Sequence, residues 1–431
     1  MYWYISFLRP PPVSITPSTK EITITPQVAN DLRTELRYDP TSLQYIWQRL
    51  TPSLSPPTSP RELTTFIPPQ STYKPISVPL PEGVQIGESW RLGLFSPSSS
   101  TSASRHPSCS LMSLCEDDVG VIGVWSEGID IVRSELSNKG VVRSVNGSSK
   151  NGKGKQKESK KGKGKEKDDG PKQGRITREF TLPLQTQEDG EEGERREEML
   201  RIIEQTSFDL DKKIWDSGLA LSSWFWKYLP YPTGNESTSH PDELVSEVFD
   251  LLRRQEDLDI LELGIGTGLV SIALSLAVKR YLPEVKRNII ATDLDTAIPL
   301  MNENLEFNCI DTILNSNDNN VNVRADLLDW DKPLPSWVSV DDHLPELIIA
   351  ADVTYNTSAF PSLLQTLISL LAPSSDRIPI MALAYKQRDP AERDLWKMLN
   401  ENGIKMTLVD KVVGAEVDQG ETEIWIGRMK S

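Results

Sequence analysis

The most constraining stretch of the chain is residues 258–269, Leu-Asp-Ile-Leu-Glu-Leu-Gly-Ile-Gly-Thr-Gly-Leu, an apolar run that ends in a glycine-rich turn and enters a helix-like segment. An apolar run of this length bounded by glycines fits a strand buried in a parallel sheet. The glycines let the backbone turn tightly and approach a ligand with no Cβ in the way. The spacing speaks against one ligand class. A dinucleotide fingerprint needs G-x-G-x-x-G, whereas after Gly264 and Gly266 the third glycine position holds Leu269, and Gly268 comes one residue early. Glu262 stands two residues before the first glycine, near the carboxyl end of the strand, where open α/β sheets bind ligands.

Beyond the turn, strand-like and helix-like segments alternate. Strands are expected over 288–293, 321–326, 346–352 and 378–385, with helices over 295–308, 358–371 and 391–402, the last ended by Gly403. The final two strands, 404–413 and 421–429, are separated only by residues 414–420, too few for a crossover helix, so they should pair antiparallel. The expected fold is therefore α/β, a doubly wound seven-stranded sheet with helices on both faces and a closing antiparallel hairpin. Acidic residues fall where such a sheet binds ligands. Asp293, at the end of the second strand, can accept hydrogen bonds from two ribose hydroxyls, and also suits a helix cap. Asp326, at the end of the third, can accept from an adenine amino group, with Leu327 and Trp330 as apolar and aromatic walls. At the end of the fourth lies Ala351-Asp352-Val353-Thr354-Tyr355.

The E-x-G-x-G-x-G spacing from Glu262 to Gly268 resembles motif I of the class I S-adenosylmethionine (SAM) methyltransferases, whose sheet also closes with an antiparallel hairpin. Taken with Ile214-Trp215-Asp216-Ser217, Asp293, Asp329-Trp330 and the D-x-x-Y element, the order of motifs resembles the family 16, METTL21-like, seven-β-strand protein-lysine methyltransferases. The resemblance covers about 175–431. It implies that Trp215, Gly264, Ile265, Gly266, Asp293, Trp330 and Ala351 line the SAM site, beside Glu262, Gly268 and Asp326. It also implies that Asp352 and Tyr355 face an acceptor lysine of a protein substrate, a translation elongation factor being the favoured class. Enzymes acting on base amines or glutamine amides carry N-P-P-Y or D-P-P-Y at this place. Asp352-Val353-Thr354-Tyr355 departs from that pattern, which disfavours those acceptors. A non-catalytic interaction module and an RNA methyltransferase stand as alternatives.

The remainder divides by composition. Residues 1–145 are expected to be a partly ordered N-terminal extension, poorly ordered within 1–31. A helix is expected over 41–50, where Leu43, Ile46, Trp47 and Leu50 share a helical face. Short strands are expected at 75–78 and 89–95, and a strand pair within 119–132 turning at Glu127-Gly128. Residues 146–174 hold ten lysines between Lys150 and Lys172 and almost nothing apolar. Such a run reads as a disordered insertion, the one place where nucleic acid would bind. The rest, 175–431, is expected to be the methyltransferase domain, opening with a strand over 175–185, a buried helix capped by Asp216 or Ser217, and another helix over 241–255.

A net charge of -15 argues against nucleic acid as a general partner. Three cysteines with no C-x-x-C pair and three isolated histidines predict neither a disulfide framework nor a metal site. No apolar window reaches the ~18 residues of a membrane span. A monomer in the cytoplasm, with the nucleus as a second location, is the expectation.

Overall fold

The structure, a computed structural model, describes residues 1–97, 106–115, 120–133, 171–183, 198–207, 209–230, 243–310, 320–338, 345–373, 377–414 and 420–430. Residues 146–170 of the Lys-rich stretch lie outside the described residues.

The N-terminal part is β-structure. β1 (Tyr4–Arg9) pairs antiparallel with β3 (Glu21–Ala29), which pairs with β6 (Ile76–Pro79) in a three-stranded sheet. A nine-stranded sheet holds β2 (Ser14–Ile15), β4 (Thr41–Thr51), β5 (Arg61–Phe66), β7 (Ser89–Phe95), β8 (Cys109–Ser110), β9 (Val124–Ser126), β10 (Ile129–Ile131), β11 (Arg175–Thr181) and β12 (Met199–Gln205).

The N-terminal half departs from the sequence expectation in four ways. Residues 1–31 are ordered, with Tyr2, Trp3, Ile5 and Phe7 buried, because apolar side chains at β1 and β3 outweigh the Pro, Ser and Thr around them. The expected helix over 41–50 is strand β4. Leu43, Tyr45 and Trp47 also satisfy a period of two, and pairing with β7 from Gln44↔Phe95 to Thr51↔Ser89 decides between the two periods. β9 and β10 do not pair with each other; both pair with β7, in succession along it. A Cβ on Gly128, between them, would collide with Ser89 Oγ. Finally, β11 and β12 complete the N-terminal nine-stranded sheet, so the α/β sheet starts well after Arg175. Lys172 and Gln173, at the end of the Lys-rich stretch, are held by the same sheet region: Lys172 bridges Pro12, and the buried Gln173 donates to Glu127 O at 3.0 Å.

The α/β half contains α1 (Asp216–Tyr228), α2 (Glu243–Arg253), β13 (Leu258–Leu263), α3 (Leu269–Tyr281), β14 (Arg287–Asp293), α4 (Ile298–Phe307), β15 (Val321–Leu327), β16 (Leu347–Ala351), α5 (Phe360–Leu370), β17 (Ile380–Tyr385), α6 (Asp394–Glu401), β18 (Ile404–Val412) and β19 (Thr422–Met429). Its seven strands lie in the order β15-β14-β13-β16-β17-β19-β18, parallel except for β19, which runs antiparallel to both neighbours. This is the doubly wound sheet with a closing hairpin expected from the sequence. Side-chain alternation explains the two layers. Ile260, Ile289 and Val323 face α1 to α4, and Leu261, Ile348 and Leu383 face α5 and α6. In α2, Val245, Val248, Phe249 and Leu252 recur at helical spacing on the buried side, each worth about 1.5–3 kcal/mol of burial.

Among the contacts that join the halves, two are built on buried polar side chains, Asn304 and Asp216. The outer strand β12 presents backbone groups at Arg201 and Ile203, which α4 satisfies with asparagines one turn apart. Asn308 accepts from Arg201 N–H at 2.9 Å and donates to its carbonyl at 2.6 Å, and Asn304 accepts from Ile203 N–H at 2.8 Å. The Nδ2 of Asn304 also donates to Thr267 O in the glycine turn at 2.8 Å. A helical i, i+4 pair thus matches a strand's i, i+2 spacing and occupies the sheet edge.

The second contact is Asp216. It is the first residue of α1 rather than its cap, which is Trp215, whose side chain makes no capping bond. Fully buried, it accepts from Lys386 Nζ at 2.6 Å, Tyr4 Oη at 2.7 Å and Tyr2 N–H at 3.1 Å. Burial, then the neighbouring Asp31, raises its pKa, and Lys386 opposes the rise. Removing one partner of a buried ion pair leaves the other uncompensated, so Asp216→Ala should cost about 3–5 kcal/mol. Denaturant unfolding followed by fluorescence measures this; an unchanged midpoint would contradict the junction described.

Candidate active site

β13 delivers the chain into the turn with Gly264, Gly266 and Gly268 all at positive φ. At Gly264 a Cβ would stand 2.9 Å from Val353 Cγ1, so the turn packs directly on the segment after β16. Gly268 caps α3, and a Cβ there would collide with Met301 Sδ. Its place is therefore against α4, and it does not line the cavity that the turn helps to form. Asp293 closes the turn from β14: Gly266 N–H donates to its Oδ2 at 2.9 Å and Leu294 N–H to its Oδ1 at 2.7 Å. Burial raises the Asp293 carboxyl, and these two N–H groups oppose the rise. Glu262 is buried and accepts from Ser271 Oγ. Burial pushes its carboxyl up to about 8.

The turn opens into a cavity of about 580 Å³ at the carboxyl ends of β13, β14 and β16. Trp215, Glu262, Gly264, Ile265, Gly266, Asp293, Trp330, Ala351, Asp352 and Tyr355 all line it. Asp326 does not. It stays on the strand, 3.6 Å from Arg324 Nε, while the loop beyond β15 brings Leu328, Asp329, Trp330 and Asp331 to the wall. The lining suits an adenosine-bearing group with a charged tail. Asp293 offers carboxylate oxygens, Trp330 and Leu328 offer a flat and an apolar wall, and Lys213 offers an ammonium. The fit to SAM, the cofactor implied by the resemblance, is made by these side chains and by a turn bare of Cβ atoms.

Asp352 follows β16 at φ +57, a conformation that strains a residue with a side chain. Its N–H donates to Ala384 O at 3.1 Å. Its carboxylate accepts both terminal nitrogens of Arg388, Nη1 to Oδ1 at 2.7 Å and Nη2 to Oδ2 at 2.9 Å. Nη2 also donates to Asp31 Oδ2 at 2.7 Å, and the guanidinium lies 5.3 Å from the Trp215 ring centre. Trp215 is held in turn by its Nε1, which donates to Leu210 O at 2.9 Å. Burial opposes the charge on Arg388, but Asp352 and Asp31 raise its pKa overall. Tyr355 is 58% exposed at the mouth, and its phenol is raised first by burial and then by Asp293 and Asp211.

Arg388 and Asp31 escaped the sequence reading. Arg388 sits just past the fifth strand of the α/β sheet, in a Lys-Gln-Arg-Asp loop with no recognisable spacing. Asp31 is more than 300 positions away, in a region where nothing signalled a site. The one available hint was that Asp352, a buried acid at a strand end, needs a cationic partner.

Residues 194–402 match a family model described as lysine methyltransferase. Over 156 residues the chain is 30% identical to protein-lysine N-methyltransferase EFM6 of Saccharomyces cerevisiae, covering 35% of this chain and 58% of that protein. Over 144 residues it is 31% identical to protein N-lysine methyltransferase METTL21A of Xenopus tropicalis, covering 33% and 56%. The chain spans about half the length of the curated relatives it matches.

The raised Glu262 carboxyl has a measurable consequence in the ligand-free protein. A group lifted from 4.5 to about 8 by folding contributes fully below pH 4.5. That contribution is lost as the pH climbs to about 8, because the native chain must give up a proton it holds more tightly than the unfolded chain does. Glu262→Gln, which cannot ionise, should flatten the fall in melting temperature over this range by several degrees, about 2–4 °C for each kcal/mol. Parallel melting curves of both proteins from acid to pH 8 would count against a protonated Glu262.

Proposed function

We propose that this chain, whose residues 194–402 belong to the lysine methyltransferase family, is a SAM-dependent protein-lysine N-methyltransferase, with Asp352 and Tyr355 facing the acceptor. One observation carries the reading: the glycine turn and the D-x-x-Y element touch, Gly264 against Val353, so a cofactor on the turn and an amine at Asp352 share one cavity.

The bound cofactor supplies a methyl group already activated on a sulfonium. The protein's task is to hold the acceptor amine, neutral and in line with the bond that breaks. A lysine of pKa ~10.4 is neutral in only about one molecule in 2,500 at pH 7, a deficit of roughly 4–5 kcal/mol. Burial of the ammonium in the cavity favours loss of its proton to water. Asp352 acts the other way, favouring the charged form, so its part is to draw in and orient the side chain rather than to deprotonate it. Tyr355 hydrogen-bonds or packs against the incoming chain at the mouth. Glu262, Asp293, Trp330 and Trp215 hold the cofactor side. A translation elongation factor is the acceptor class the resemblance favours, and the proposal is completed by a monomeric enzyme in the cytoplasm, with the nucleus as second location. No helix among the described residues is long and apolar enough to cross a membrane.

Incubation with methyl-labelled SAM and a lysate from cells lacking this protein should label a protein band, and acid hydrolysis should release methyl-lysine. Asp293→Ala should weaken S-adenosylhomocysteine binding by about 10- to 100-fold in calorimetry, as expected for losing a charge-assisted hydrogen bond. Asp352→Ala should keep that affinity and lose about 100-fold in turnover, the effect of a misplaced acceptor. Label in RNA, or none in lysine, would refute the reading.

A further inference from the structure

Asp352 presents a difficulty for ammonium capture. Both of its oxygens are engaged by Arg388, and a carboxylate closed by a guanidinium is a neutral pair with little attraction for a second cation. The structure supplies a third charge from outside the α/β half. Asp31 follows β3 in the N-terminal sheets and meets the same guanidinium at 2.7 Å. We infer that Asp31 is a positioning residue for the acceptor: by sharing Arg388, it leaves the Asp31, Arg388 and Asp352 cluster with one net negative charge at the wall of the cavity.

This inference rests on the proposed methyl transfer to lysine, and the geometry around Asp31 supports it. The loop that carries it is locked by Asn30, whose Oδ1 accepts from Thr34 N–H at 3.0 Å and Glu35 N–H at 3.2 Å, with Arg33 at φ +60. The other oxygen of Asp31 accepts from Leu32 N–H at 2.9 Å, and Asp216 N–H donates to Oδ2 at 3.3 Å. Burial raises the Asp31 carboxyl, but Arg388 and Lys386 hold it below the usual carboxylate range, so it is ionised. The next residue, Leu32, is 41% exposed and lines the same cavity, so the loop forms part of the wall.

The charged groups nearest the cluster have partners of their own. Lys386 is closed by Asp216 at 2.6 Å, and Tyr4 hydrogen-bonds that same carboxylate. Glu392 accepts from the backbone N–H of Arg388 at 3.1 Å; elsewhere on the cavity wall Lys213 is basic, while Asp211, Asp293, Asp329, Asp331 and Asp389 are acidic, so the wall is negative on balance.

Removal of one negative charge has two effects of opposite usefulness. Capture of the acceptor weakens, while the bound ammonium gives up its proton more readily. A merely structural role for Asp31 would not produce that pairing. The test uses the full-length protein, labelled SAM and unfractionated lysate from cells lacking this protein as acceptor, with Asp31→Asn as the isosteric variant and Asp31→Glu restoring charge. Melting curves and calorimetry with S-adenosylhomocysteine establish that each variant is folded and that its cofactor side is intact.

Asp31→Asn should raise the half-saturating lysate concentration about tenfold and move the acid limb of the maximal rate down by up to about one pH unit, the equivalent of a single lost charge interaction. Asp31→Glu should recover most of both. A folded Asp31→Asn with unchanged saturation, or with weaker saturation and an unmoved acid limb, overturns the inference and leaves the methyltransferase reading standing. If Asp31→Asn does not fold, Asp31→Glu and salt titration of the wild type decide: half-saturation that does not rise with salt overturns the inference. Wild-type protein that labels no lysine overturns both readings.

Discussion

The buried carboxylate of Asp216 is the interaction on which the arrangement depends. It stands at the first turn of α1 and collects an ammonium from the strand-end loop of the α/β sheet together with a phenol and an N–H from the first residues of the chain. Two of those donors, the Tyr4 phenol and the Tyr2 N–H, come from the other half and would lose this partner if the halves separated, whereas Lys386 belongs to the same half as Asp216 and fixes its charge in place. The halves are therefore joined by a polar constraint at the centre of an apolar contact, which fixes their relative rotation more narrowly than apolar burial alone.

That fixed rotation brings the site together. Arg388 reaches Asp31 only because the loop after β3 is carried to the carboxyl ends of β16 and β17. The same arrangement explains why Asp352 tolerates a left-handed backbone, since its carboxylate is held by two nitrogens and its N–H by Ala384. Strain at this position is offset by its surroundings.

The α/β sheet was legible because its signals are local: glycines at a strand end, acids at the next strand ends, a loop too short for a helix before the last strand. The residues read from those signals line the cavity, apart from Gly268, which serves α4, and Asp326, which remains on its strand. The N-terminal sheets were not legible. β4 carries apolar residues that satisfy both helical and strand periods, and only its partner β7, about 40 positions on, decides between them. β9 and β10 look like a hairpin because they are adjacent, yet each finds β7. Arg388 and Asp31 belong to the same class of failure, since a long-range ion pair leaves no pattern in sequence.

The asparagine pair on α4 has a practical consequence. Asn304 bonds the outer strand of the N-terminal sheet with its oxygen and the glycine turn with its nitrogen, so one side chain is shared between the two halves. A shortened protein beginning at α1 would leave that oxygen and its neighbour Asn308 facing water, and with them the support behind Thr267. The N-terminal sheets are in this sense a back wall of the cofactor loop. A fragment cut at the boundary suggested by the family match would include β12 while losing its sheet, and its loop would be free to rearrange.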